Sequence, residues 1–111
     1  MRCMLKVSIP VEQGNTAITD GSLPKTIESI VADCKPETVY FTAESGKRTG
    51  FFFFDLKDTS QTPAIAEPWF LAFNAEVQIS PAMNMEDLKK SALGMEKAVH
   101  DYGKLARGKA A

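Results

Sequence analysis

Polar and apolar residues alternate along "RCMLKVSI", residues 2–9: Cys3, Leu5, Val7 and Ile9 fall on one side, Met4, Lys6 and Ser8 on the other. A period of two predicts a strand with one dry face, and Pro10 ends it because proline cannot donate to a sheet ladder. The segment "VEQGNTAITDG" fits either a loop or a first helical turn. From Ser22 the spacing becomes helical. Leu23, Ile27, Ile30, Val31 and Cys34 fall at i, i+4, i+7, i+8 and i+11, with Ser22 as cap, Pro24 in the first turn and Pro36 as the stop. A start near Asn15 would instead leave Pro24 to kink the helix.

"ETVYFTA" predicts a second strand, with Val39, Phe41 and Ala43 opposite Thr38, Tyr40 and Thr42, and "ESGKRTG" a hairpin turn in which Gly46 takes a positive φ. A third strand, 50–56, carries four consecutive phenylalanines, Phe51–Phe54. "DTSQTPAIAEPWFLAF" predicts a helix capped by Ser60 or Thr62, opened by Pro63, bent at Pro68, and apolar along Ile65, Trp69, Phe70 and Phe73. "AEVQISP" is a fourth strand. Residues 84–102 predict an amphipathic helix capped by Asn84 with Asp87, striped by Leu88, Ala92, Met95, Val99 and Tyr102, and ended by Gly103. Residues 1–103 then form one domain, followed by a disordered tail, 104–111. The order β-α-β-β-α-β plus a terminal helix predicts an α+β, ferredoxin-like fold, with a four-stranded antiparallel sheet and both crossover helices on one face.

The phenylalanine strand is central in that topology. Two rings lie under the helices; Phe51 and Phe53 face away. Leaving a phenylalanine exposed forgoes roughly 1.5–3 kcal/mol, so two exposed rings would cost a substantial part of the ~5–15 kcal/mol net stability of a domain. The simplest cover is the same face of a second copy, related by a two-fold axis. Met4, Lys6, Tyr40, Thr42, Glu76 and Gln78 share that face, a mixture that suits a wet interface or a pocket between two sheets.

Composition narrows the partners. The 13 Lys and Arg residues are scattered among 14 Asp and Glu, so no basic patch is expected to bind nucleic acid or anionic lipid. No apolar run approaches the ~18 residues of a membrane span, and the first residues lack the pattern of a secretion signal. A cytoplasmic location is expected, with Cys3 and Cys34 as free thiols within apolar patterns. One histidine, His100, and two separated cysteines make no metal constellation, and no cofactor is expected.

The "KVSIP" strand, the "KPETVYFTAESGKRTGFFFF" hairpin and the short helix leading to "EVQISP" resemble the dimeric α+β barrel superfamily over about residues 1–82. The chain is most similar there to small uncharacterised bacterial domains. The resemblance implies a sheet-to-sheet homodimer with an inter-sheet cavity. Its known members include antibiotic-biosynthesis-type monooxygenases, haem-degrading enzymes and muconolactone-isomerase-like proteins, alongside many of no known activity.

The leading expectation is a dimeric domain, structural or binding an apolar or aromatic small molecule between the sheets, lined by Met4, Lys6, Tyr40, Phe51, Phe53, Trp69, Glu76 and Gln78. No residue is assigned a catalytic role. The alternative is a cofactor-independent monooxygenase-like or isomerase-like enzyme, in which a buried Lys6–Glu76 pair beside Tyr40 handles protons. A third reading is a protein-interaction module using the terminal helix. Trp69, on a helix facing a sheet, reads as core, with ligand stacking as its functional alternative.

Overall fold

In the computed structural model, which describes residues 1–110 and the side chains of 1–105, the predicted alternations become four antiparallel strands. These are β1 (Arg2–Ile9), β2 (Thr38–Glu44), β3 (Lys47–Asp55) and β4 (Glu76–Pro81). They pair in the order β2-β3-β1-β4, so β3 and β1 are central and β2 and β4 are edges. The fold is α+β.

Between β1 and β2 run two helices, α1 (Val11–Thr19) and α2 (Ser22–Cys34). The ambiguous segment after Pro10 is therefore a helix of its own, burying Gly14 and Ala17. Gly21, at φ 79°, separates the pair. Ser22 does not cap α2: it is the first helical residue, and its N–H donates to the Asp20 carboxylate at 2.8 Å. Pro24 sits in the first turn, where no intrahelical donor is lost.

The β2–β3 turn contains only Ser45 and Gly46, both at positive φ (52° and 76°). This matches the two-residue hairpin turn whose twist suits paired strands. Residues 47–49, expected in the turn, are already strand. A short 3-10 turn at Thr59–Gln61 precedes α3 (Thr62–Phe73). Its cap is Asp58, with Gln61 closing the box, rather than Ser60 or Thr62.

One face of the sheet is dry. Cys3, Leu5 and Val7 of β1 and Phe52 and Phe54 of β3 meet Leu23 and Ile30 of α2 and Trp69 and Phe73 of α3 in a single buried cluster. Burying aliphatic and aromatic side chains of this size stabilises the fold by about 1.5–3 kcal/mol each. Phe70, expected on the apolar side of α3, points outward and is exposed.

The chain ends in α4 (Met85–Lys90) and α5 (Ala92–Ala110). The Asn84–Asp87 capping box forms in both directions, at 2.8 and 3.0 Å. The single helix expected over 84–102 is broken at Ser91. It also does not stop at Gly103 but runs to Ala110, and residue 111 of the expected tail lies outside the described residues. Its stripe covers nothing in the domain: Leu88, Met95, Val99 and Tyr102 are all exposed. The molecule is accordingly elongated, 59 × 33 × 22 Å. Among the described residues no helix is long and apolar enough to cross a membrane.

Candidate ligand cavity

The strand registers settle which residues share the open face. Tyr40, Phe51, Lys6 and Gln78 form one row across the four strands, and Thr38, Phe53, Met4 and Ser80 the next. Seven of the eight residues singled out above lie on this face, Glu76 opposite Ser8. The eighth, Trp69, lies on the helical side of the sheet, buried against Phe52 at a ring separation of 4.9 Å. Phe51 and Phe53 are half-buried by their neighbours within the chain, while Tyr40 is largely exposed.

The register does not bring Lys6 and Glu76 together. Lys6 stands opposite Gln78, and its ammonium pairs with Glu44 at 2.5 Å, across β3. Glu76, mostly exposed, pairs with Lys47 at 3.4 Å. Glu44 thus takes the place expected of Glu76; the Lys47–Glu76 pair is open to water and the Lys6–Glu44 pair partly so. Exposed pairs of this kind stabilise by at most about 1 kcal/mol. The face therefore presents two phenylalanine rings bordered by two ion pairs.

An apolar concavity lies on the other side. A cavity of about 600 Å³ opens between α2 and the β2–β3 hairpin, within the range of small-molecule sites. It exists because the end of edge strand β2 beyond Val39, which still packs on the core, is left uncovered by the helices. Phe41 and Ala43, which face the helical side, remain exposed although they alternate like core positions. Leu23 and Ile27 of α2 form one wall, Phe41 and Ala43 of β2 the other, and Phe52 and Trp69 the floor.

Gly50 shapes this floor. A β carbon there would lie 2.8 and 2.9 Å from two atoms of the Phe52 ring and 3.2 Å from Phe41. Without one, the Phe41 ring meets Phe52 edge-on, with centroids 5.8 Å apart and planes at 83°. The aromatic series continues through Trp69 to Phe73, 6.1 Å further on. It links the cavity mouth to the centre of the core.

Two charged side chains reach the lining, Arg48 of β3 and Glu28 of α2. Glu28 is exposed at the mouth; Arg48 is half-buried. Arg48 Nη2 donates to Asn15 Oδ1 at 3.1 Å, and the guanidinium passes over Gly14 of α1, where a β carbon would come within 2.5 Å of Nη1. Among the described residues no carboxylate lies within 4.0 Å of it. Arg48 was hidden in the sequence because "SGKRTG" carries turn chemistry. The available signal was parity: counting back from Phe54 and Phe52 through position 50 puts residue 48 on the helical face.

The remaining titratable candidates lie away from the cavity. Cys3 is buried, and burial pushes the half-buried Cys34 thiol above its ordinary pKa, which disfavours the reactive thiolate. His100 is exposed on α5 beside Asp101. No protein-family model matches the chain, and no curated protein is detectably similar to it.

Proposed function

We propose that the protein is a homodimeric small-molecule-binding domain, with its ligand in the cavity between α2 and the β2–β3 hairpin and its open sheet face set against a second copy. The observation that carries this reading is the apolar cavity itself, floored by Phe52 and Trp69 and walled by the uncovered Phe41 and Ala43 of an edge strand. On this reading the apolar ligand lies on the helical side of the sheet rather than between two sheets. The open face, with its Lys6–Glu44 and Lys47–Glu76 pairs, suits a wet protein contact better than an apolar guest.

The ferredoxin-like reading, and kinship with dimeric α+β barrel proteins, is supported by the strand order, which from the other edge reads β4-β1-β3-β2, and by the placement of α2 and α3 on one face. Native mass spectrometry of the gently ionised protein tests the whole reading. A mass of twice the chain, carrying a retained small adduct, is expected. A monomer that binds no added apolar compound would refute it.

A second reading has its own support. The exposed apolar stripe of α4 and α5 fits a protein-interaction module. Removing residues 84–111 is then expected to leave dimer and cavity intact while abolishing capture of the partner. Loss of folding would assign the stripe to the domain itself.

A further inference from the structure

The lining of the cavity bears on the chemistry of its ligand. Arg48 borders the apolar hollow, its bond to Asn15 lies at the protein surface, and among the described residues no carboxylate pairs with it, so its remaining donors are free to take an anion at the cavity's edge. Arg48 has five N–H donors, of which one is committed to the neutral carboxamide of Asn15. Its position is built rather than incidental: Gly14 supplies the room, and Asn15, one residue along α1, holds one arm of the fork. A planar guanidinium fixed at its edge matches a carboxylate in a bidentate pair.

The body of the cavity is lined by carbon, with Leu23, Ile27, Phe41 and Phe52 around it. Glu28 carries the opposite charge but stands exposed at the mouth, where water and salt screen it. We infer that the cavity selects apolar monocarboxylates: the hydrocarbon lies against Phe41, Phe52 and Trp69, and the carboxylate accepts hydrogen bonds from Arg48. The inference rests on the cavity being the ligand site proposed above.

The test compares octanoate with octan-1-ol, which share a chain and differ in the head group. Affinities are measured by titration calorimetry on the full-length protein. The location is read from the fluorescence of Trp69, the only tryptophan. Octanoate is expected to bind at least about tenfold more tightly than the alcohol, the value of one charge-assisted hydrogen bond or more. Arg48→Met is expected to remove that preference while leaving alcohol binding in place. Equal affinities in the unmodified protein would overturn the carboxylate assignment but keep the cavity as an apolar site. Binding of neither compound would overturn both. A preference that survives in Arg48→Met would also overturn the assignment. The comparison of the two ligands requires no variant, so it decides the matter even where the substitution impairs folding.

Discussion

Arg48 and Gly14 are packed so closely that a β carbon on residue 14 would lie 2.5 Å from Nη1 and 3.3 Å from Cδ and Cζ of the arginine. The obstructing atoms are the far end of a flexible side chain, so the arginine, and not the helix, gives way. Gly14→Ala is expected to leave stability within about 1 kcal/mol of the parent, since alanine also gains helix propensity over glycine. The octanoate preference should nonetheless fall. Chemical denaturation together with calorimetry checks both halves. A large loss of stability with the preference intact would contradict this account of Gly14.

Gly50→Ala is expected to behave differently. Its obstruction is the ring of Phe52, a residue 1% exposed at the centre of the core. Overpacking of this kind costs about 1–3 kcal/mol, readable as a lowered urea midpoint with an unchanged slope.

Ala43 lies at the exposed edge of the cavity, on a strand position that tolerates aromatic residues. Ala43→Trp is expected to fill the mouth and weaken apolar ligands more than about tenfold. It should leave the oligomeric state unchanged, because it acts on the helical face alone. Retained binding would place the ligand elsewhere.

Phe51→Glu addresses the opposite face. A carboxylate in the row of Tyr40, Lys6 and Gln78 would be set against its own copy across a two-fold axis, where like charges repel. Sedimentation velocity should show monomers, with cavity binding preserved. A dimer of undiminished strength would mean that this face is not the interface.

Asp55 offers a test in acid. The hydrogen bond from Lys57, then the hydrogen bond from the N-terminal ammonium, and the charges of both hold its carboxyl at about 2, below the ordinary 3.8. A depressed carboxyl contributes stability that is present above its unfolded pKa and is lost as pH falls through the folded value. The loss should therefore run from about pH 4 down to about 2. Because the group is exposed, the effect on global stability should be small. Carboxyl NMR should place its midpoint near 2, and Lys57→Ala should raise it.

The sheet was legible in the sequence because alternation states a face directly: Cys3, Leu5, Val7 and Ile9 are all buried as their spacing predicts. Lateral relationships were not legible. Whether Lys6 meets Glu76 or Gln78 depends on a register that no single strand encodes: Lys6 stands opposite Gln78, and its ammonium reaches across β3 to Glu44. The cavity was invisible for a related reason. Phe41 and Ala43 carry a core-like alternation, and only the reach of α2 determines that nothing covers them. The first helix was ambiguous because its short length and Gly14 weaken its periodicity, and that glycine answers to Arg48 rather than to the helix. In α5, Gly103 lies within a continuing helix, since a glycine stops a helix only where the backbone turns left-handed.

The bare helical side of β2 has a thermodynamic consequence. This edge strand is held by hydrogen bonds on one side only, and Phe41 and Ala43, unlike Val39, lack the core above them that β1 and β3 possess. A guest in the cavity supplies that missing portion from outside the chain. Occupancy and folding then become linked equilibria, with the native state stabilised by RT ln(1 + [L]/Kd). The gain should be concentrated where the protein is least complete, as slowed amide exchange along Thr38–Glu44.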